Sequence, residues 1–239
     1  MDARSILLGV SELITSNIPA ICARRFEVTW KSDGSPVTSA DIMIEGRVRA
    51  YLEEHIPELT FVGEESFDPK IWKANRAIAL LDPIDGTENF ISGLKEWGVS
   101  LGLWLDGQHQ GSMLLMPELN ERLVTGDKVQ RVRSRITGFS SSFSEGIVDG
   151  MRGATESRIF GCATYNLLNV ARGSFRRFYN PKGAYAWDLL PGLMIALEQG
   201  CEVLVNEEKF DGRFLEPDRR YRVDIRNRYD LHIGQGTVS

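Results

Sequence analysis

The feature that most constrains this chain is an apolar run that ends at two aspartates. Residues 77–81 (AIALL) are continuously apolar, which is the pattern of a β-strand buried on both faces. Residues 82–87 (DPIDGT) follow directly. We expect the proline to stop strand pairing and the glycine to relax the backbone, so that Asp82 and Asp85 lie together at the end of a buried strand.

Strand and helix patterns alternate along the rest of the chain. Apolar residues recur at helical spacing in residues 6–14 and 41–55. Two apolar stretches, 97–105 and 111–116, flank an Asp-Gly turn signal and predict a β-hairpin. The remaining predicted elements are strands at 61–62, 136–139, 174–179 and 201–205 and helices at 143–151, 164–171 and 186–199.

This mixture of buried strands and covering helices predicts a layered α/β or α+β sandwich. We expect one compact domain over residues 1–239, with sub-halves of about 1–130 and 131–239. The tail beyond Leu215 is rich in arginine and aspartate, and its pattern places it only weakly.

Composition narrows the class of protein. The net charge of −5 argues against a nucleic-acid binder, and the arginine clusters at 131–135, 172–177 and 219–222 are interpreted as solvated surface. The three cysteines form no CxxC pair, which favours a reducing cytoplasm over a disulfide framework. No signal peptide or membrane span is expected.

Residues 82–87 combine ligands for a cation with a binding site for an anion. Asp82, Asp85 and the carbonyl between them are hard oxygen donors of the kind that Mg²⁺ prefers. Gly86 and Thr87 open a predicted helix, whose free N–H groups suit a phosphate. Metal-assisted hydrolysis of a phosphate ester needs both features. The alternative is an aspartate-rich turn that only caps a helix.

Four segments resemble the signature blocks of the inositol monophosphatase family. They are residues 31–41 (KSDGSPVTSAD), 63–66 (GEES), 82–87 (DPIDGT) and 187–188 (WD). Members of this family are lithium-sensitive, magnesium-dependent phosphatases. The resemblance implies a layered αβαβα sandwich, a homodimer, two to three Mg²⁺ ions per site, inhibition by Li⁺ and a small phosphorylated metabolite as the substrate.

The resemblance also implies a set of metal ligands. Glu64, Asp82 and the carbonyl of Ile84 would hold the first Mg²⁺. Asp82 would bridge to a second ion that Asp85 and Asp188 complete. A third, weaker ion would lie on Glu64 and waters.

The same resemblance implies the catalytic and phosphate-binding groups. Thr87, hydrogen-bonded to Asp41, would position and help to deprotonate the attacking water beside the metal held by Glu64. The N–H groups of Gly86 and Thr87 would hold the phosphate, and Lys31 would approach it.

The substrate-contacting positions depart from the family pattern. Inositol-specific members place a glutamate where this chain has residues 180–182 (NPK), and Glu88 adds a negative charge after Thr87. Asn180, Lys182 and Ala163 are therefore the candidate contacts to a different alcohol. Residues 31–41 are also similar to those of the histidinol-phosphate and adenosine-bisphosphate phosphatases of the superfamily, which makes histidinol phosphate or 3′-phosphoadenosine 5′-phosphate the alternative substrate.

Interpretations of other classes are also open. The carboxylates could form a structural cation site, Ca²⁺-preferring or otherwise, in a non-catalytic regulatory protein. Asp41 could be a plain helix N-cap. Trp187 and Cys162 are interpreted as packing residues.

Overall fold

The computed structural model describes residues 2–70, 72–73, 75–130 and 132–228. The described helices are α1 Ala3–Thr15, α2 Ile18–Cys22, α3 Ser39–His55, α4 Thr87–Ile91, α5 Glu145–Arg152, α6 Ala163–Arg172 and α7 Ala186–Glu198. The described strands are β1 Val28–Trp30, β2 Pro36–Thr38, β3 Leu59–Gly63, β4 Ala77–Asp85, β5 Gly98–Leu105, β6 Gln108–Met116, β7 Glu121–Val124, β8 Ile136–Phe139, β9 Glu156–Ile159, β10 Arg177–Tyr185, β11 Glu202–Val205, β12 Glu208–Lys209 and β13 Arg220–Arg226.

Two mixed sheets carry the fold. The first has the order β3-β4-β5-β6-β7, in which β3 and β4 run parallel and the other neighbours antiparallel. The second has the order β12-β11-β13-β10-β8-β9. Strands β1 and β2 form a separate antiparallel pair before α3. The predicted hairpin between β5 and β6 is confirmed.

Strand β4 shows how the layers are built. Its side chains alternate between two buried clusters, as a strand covered on both faces requires. Leu81 packs in the cluster that contains Leu7 of α1 and Val48 of α3. Leu80 packs in the cluster that contains Leu189 of α7.

The second cluster continues into the other sheet, because α6 and α7 contact strands of both sheets. Helix α5 packs on β10 from the far side of the second sheet. The layers therefore run α1/α3, first sheet, α6/α7, second sheet, α5. This order confirms the layered αβαβα sandwich.

One expectation about the strands was wrong, and one segment left open by the sequence is now placed. Pro83 does not end β4, because a β-bulge absorbs it: Asp82 pairs with Ser100, and pairing resumes between Asp85 and Gly98. The segment after Leu215, which the sequence pattern placed only weakly, contains β13, and this strand lies between β10 and β11 in the second sheet. Tyr221, Val223 and Ile225 are its buried face.

Some features of the sequence remain untested. Arg131 and residues 229–239 lie outside the described part of the chain. The single domain with a division near residue 130 stays a prediction. Among the described residues, no helix combines the length and the apolar character that crossing a membrane would require.

Candidate active site

Three carboxylates converge where β3 and β4 end. The strands are parallel, so their carboxyl ends meet at one edge of the first sheet, and the N–H of Glu64 donates to the carbonyl of Leu81 at 3.1 Å. Asp188 reaches the same point as the third residue of α7. Oxygen atoms of Glu64, Asp82 and Asp188 all lie within 4.8 Å of one another.

Asp82 is the most deeply buried member of this cluster, at 1% exposure. Its Oδ1 accepts a hydrogen bond from the N–H of Ile84 at 3.0 Å, whereas its buried Oδ2 has no partner among the described residues. Burial raises the pKa of Asp82 far above its ordinary value, and the charges of Glu64 and Asp85 raise it further. Such a group needs either a proton or a cation.

The ionised form of Asp188 is also disfavoured by burial and by neighbouring carboxylates. Burial, followed by the charge of Glu64, raises its pKa to about 8. Its Oδ2 accepts a hydrogen bond from the N–H of Tyr185 at 2.8 Å in a capping box that starts α7. The predicted position at a helix start is confirmed.

Asp85 lies beside the cluster and connects it to the second half of the chain. Its Oδ2 accepts hydrogen bonds from the N–H of Thr164 and from the Cys162 thiol, the latter at 3.3 Å. Both donors belong to the start of α6, where a carboxylate is favoured by the helix dipole. Burial raises the pKa of the Cys162 thiol, so this cysteine stays protonated and structural, as expected.

The turn after Asp85 has a conformation that glycine favours. Gly86 has φ 83° and precedes α4, and a Cβ there would lie 3.0 Å from that of Cys162. The Thr87 hydroxyl donates to the carbonyl of Ile84, three residues earlier, at 2.9 Å. The expected hydrogen bond between Thr87 and Asp41 is therefore wrong for this structure, because the tight turn brings a nearer acceptor to the hydroxyl.

Asp41 is part of a helix cap, and one of its oxygens remains free. Its Oδ2 accepts from the N–H of Thr38 at 2.8 Å and from the Thr38 hydroxyl at 2.6 Å, which forms a capping box at the start of α3. Its buried Oδ1 has no partner among the described residues. Burial raises the pKa of Asp41 to about 6.

Lys31 forms ion pairs at the edge of the carboxylate cluster. Its ammonium lies 3.2 Å from Glu64 and 2.8 Å from Glu65. Burial lowers the pKa of Lys31, but the two carboxylates outweigh it and raise that pKa overall. Burial and the charge of Glu64 raise the pKa of Glu65 to about 7. Lys31 thus lines the site while bound to carboxylates.

The cluster opens into a cleft of about 590 Å³, which is lined among others by Lys31, Glu64, Gly86, Thr87 and Asp188. A pocket of about 190 Å³ adjoins it and shares Asp85 and Asp188 with it.

The predicted substrate contacts divide between this pocket and solvent. Ala163 and Asn180 line the pocket. The Asn180 Oδ1 also accepts from the N–H of Gly183 at 2.9 Å, across a bulge in β10. Lys182 is exposed and lines neither the cleft nor the pocket, because the bulge turns this stretch of β10.

Asn89 and Arg220 have roles that sequence reasoning missed. The Asn89 amide donates to the carbonyls of Glu96 and Phe160, which ties the α4 turn to the segment before α6. The sequence feature that could have indicated this role is the position of Asn89 three residues after Gly86. Arg220 is exposed, as the interpretation of residues 219–222 as solvated surface predicts, and it also lines both the cleft and the pocket. Trp187 packs at 6% exposure, as expected.

Comparison with known proteins agrees with this geometry. The inositol monophosphatase family model matches residues 3–135. The chain belongs to this family. An inositol-1-monophosphatase of Mesorhizobium japonicum is 27% identical over 227 residues, which covers 83% of this chain and 85% of the relative. The relatives that match over most of this chain include inositol-1-monophosphatases, and the chain is accordingly a phosphoric monoester hydrolase.

Solved structures share the fold. The extragenic suppressor protein suhB of Bartonella henselae superposes with a TM-score of 0.80 at 19% identity, over 95% of this chain and 94% of the other. An IMPase/NADP phosphatase in complex with Mg²⁺ and phosphate superposes with a TM-score of 0.74 at 19% identity, over 90% and 87% of the two chains.

Proposed function

We propose that this inositol monophosphatase family member is a Mg²⁺-dependent enzyme that hydrolyses a small phosphate monoester by direct attack of water. The observation that carries the proposal is the convergence of Glu64, Asp82 and Asp188 within 4.8 Å. Like charges this close are unfavourable unless a cation joins them. The Asp82 Oδ2, buried and without a described partner, is the atom most in need of one.

The donor set suits Mg²⁺, which prefers carboxylate and carbonyl oxygens. Glu64, Asp82 and the Ile84 carbonyl would hold one ion, and Asp82, Asp85 and Asp188 a second, with a third, weaker ion on Glu64. A divalent cation supplies positive charge for the phosphate and acidifies the attacking water. The Mg²⁺ and phosphate bound in the IMPase/NADP phosphatase structure support this choice of ion.

The chain's own groups would bind the phosphate and move the proton. Gly86 and Thr87 line the cleft at the start of α4, where their N–H groups would face a phosphate. Lys31 would add positive charge if the phosphate replaced a carboxylate beside it. The Thr87 hydroxyl, which donates to the Ile84 carbonyl, would accept a hydrogen bond from the water and orient it. Asp41, with an unpartnered Oδ1 and a pKa raised to about 6, would take the proton.

The released alcohol would occupy the pocket that Ala163 and Asn180 line. Lys182, the other candidate substrate contact, is exposed and lines neither the cleft nor the pocket. Inositol phosphate, histidinol phosphate and 3′-phosphoadenosine 5′-phosphate remain the substrates to compare. The rival proposal is a regulatory protein whose carboxylates hold a structural cation.

Three finer predictions belong to the same proposal. Li⁺ would inhibit the enzyme, as in the inhibitory LiCl complex of a staphylococcal inositol monophosphatase-1. The protein would act in the cytoplasm, and two copies would form a homodimer. Size-exclusion chromatography with light scattering tests the last of these directly.

The test is phosphate release with Mg²⁺ across inositol phosphates, sugar phosphates, histidinol phosphate and adenosine 3′,5′-bisphosphate. We expect release from one class well above the others, and its loss in Asp85→Asn. Thr87→Ala should also reduce turnover. Release from none of these compounds, with Mg²⁺ binding intact, would favour the regulatory protein.

A further inference from the structure

Arg220 stands at the boundary between the cleft and the adjoining pocket, and it comes from the last described strand. Among the described residues, Arg220 and Lys31 are the cations that line the cleft, and Arg220 is the cation that also lines the pocket. Lys31 is already paired with Glu64 and Glu65. No carboxylate among the described residues forms an ion pair with Arg220.

Arg220 is exposed, and the two contacts that position its side chain involve no carboxylate. Its Nη1 donates to the carbonyl of Gly183 at 3.2 Å, and its guanidinium carbon lies 4.6 Å from the centre of the Tyr185 ring. A guanidinium has five N–H donors, so this arrangement leaves donors for an anion.

The strand register connects Arg220 to the carboxylate cluster. Arg220 pairs with Tyr185 across β13 and β10, which places their Cα atoms on the order of 5 Å apart. The N–H of Tyr185 in turn donates to Asp188. A group held by Arg220 would therefore lie beside the phosphate-binding end of the cleft, on the side where the pocket accepts the alcohol.

The pocket offers polar groups beside this charge. The buried Ser140 Oγ lines it and has no hydrogen-bond partner among the described residues. Asn166, at 1% exposure, also lines it and has an unpartnered Oδ1. A hydroxyl donor, an amide acceptor and a guanidinium together suit an alcohol that carries both a hydroxyl and an anionic group.

The carboxylates that line the cleft or the pocket form two groups. Glu64, Asp82, Asp85 and Asp188 are those proposed to hold cations, whereas Asp33, Glu88 and Asp218 line the cleft outside that cluster. Asp218 lines the cleft but lies 3.7 Å from Arg219, which balances its charge. Glu88 lies on α4, exposed, beside the residues proposed to hold the phosphate.

We propose that Arg220 selects phosphate monoesters whose alcohol part carries a second anionic group, a carboxylate or another phosphate. This inference rests on the proposed phosphatase function and adds the class of alcohol to it. Neutral polyol phosphates would bind more weakly, and phosphates of cationic amino alcohols more weakly still.

The test uses two substrates that differ in one group. 3-Phosphoglycerate carries a carboxylate where glycerol 3-phosphate carries a hydroxymethyl group. We expect kcat/KM to favour 3-phosphoglycerate by about tenfold or more, since a charge-assisted hydrogen bond has this magnitude. Arg220→Gln should remove the preference by raising KM for 3-phosphoglycerate with little change in kcat, and Arg220→Lys should restore part of it.

Arg222→Gln is the matched control. It removes the same charge from the same strand, but Arg222 pairs with Glu207 at 3.2 Å and does not line the cleft or the pocket. The preference should survive this change. A preference that persists in Arg220→Gln, or that disappears equally in Arg222→Gln, would overturn the assignment.

A binding measurement separates this inference from the proposed function. Calorimetry with the Mg²⁺-loaded protein would give the affinities for both compounds, whether or not they are hydrolysed. Tighter binding of 3-phosphoglycerate that depends on Arg220 would support the inference even if no turnover is found. Equal affinities in the unchanged protein would overturn it even if both compounds are hydrolysed.

Discussion

Asp82 and Asp224 are both aspartates in inner strands, one in each sheet. Asp224 of β13 accepts from Arg177 at 2.6 and 2.8 Å, and Arg226 lies 2.8 Å from its Oδ2. Asp82 of β4 has two carboxylates for neighbours, Glu64 and Asp188, and no ion pair among the described residues.

The two sites therefore manage a carboxylate charge in different ways. Around Asp224 the protein supplies its own counter-charge, so the arrangement stabilises the fold. Around Asp82 it supplies more negative charge, which destabilises the metal-free protein. Retaining such a cluster is reasonable where function requires a cation, because activity is commonly obtained at the expense of stability.

The largest expected effect is the difference in phosphate release between substitutions of the two aspartates. Asp82→Asn should reduce phosphate release by about a thousandfold or more, since it removes charge from the centre of the site. Asp224→Asn should change release by no more than about threefold, because Asp224 lines neither the cleft nor the pocket. Initial rates at saturating Mg²⁺ measure both, and equal losses would remove the distinction between the sites.

The effects of the two variants on stability should have the opposite order, with the larger loss in Asp224→Asn. Asp224→Asn should lower the free energy of unfolding by about 2 kcal/mol, because two arginines lose a charged acceptor. Asp82→Asn should not destabilise the metal-free protein, since asparagine removes a charge that has no counter-charge. Urea unfolding in the presence of a chelator measures the difference. A larger loss in Asp82→Asn would show that the charge of Asp82 is needed for folding.

A smaller effect is expected from pH. In the metal-free protein, burial raises the pKa of Asp41 to about 6, of Glu65 to about 7 and of Asp188 to about 8. Their ordinary values are 3.8, 4.5 and 3.8. Because each pKa is raised on folding, its stabilising contribution is fully present below the ordinary value and is lost as pH rises through the folded value.

Thermal unfolding with a chelator should therefore occur at progressively lower temperature between about pH 5 and pH 8. Mg²⁺ should reduce this decline, since it binds the ionised carboxylates. Asp224→Asn should leave the slope unchanged, which makes it the control. A metal-free protein that becomes more stable over this range would contradict the account.

Part of the carboxylate cluster could be predicted from sequence because the signals of residues 77–87 are local. The apolar run before Asp82 identified a strand covered on both faces, and residues 82–87 placed two carboxylates in one turn. Asp188 and Glu64 came from family resemblance, and the structure brings both to Asp82. No local pattern indicated that these separate segments would meet.

The other end was harder to predict because its residues meet through long-range pairing. Residues 220–226 alternate polar and apolar side chains, which is a strand signal, but the many arginines and aspartates of this segment left it only weakly placed. The position of Arg220 depends on the pairing of β13 with β10, and that of Lys182 on a bulge in β10. The positions of Arg220 and Lys182 could not be predicted from the spacing of residues in the sequence alone. The Thr87 hydroxyl was wrongly assigned because the turn offered it the Ile84 carbonyl.

The most direct test of the account is a calorimetric titration of the metal-free protein with Mg²⁺ at pH 7. The central claim is that Glu64, Asp82 and Asp188 form a divalent-cation site. We expect saturable binding in the unchanged protein, its loss in Asp82→Asn and its retention in Asp224→Asn. Binding that is absent from the unchanged protein, or that persists undiminished in Asp82→Asn, would contradict the claim.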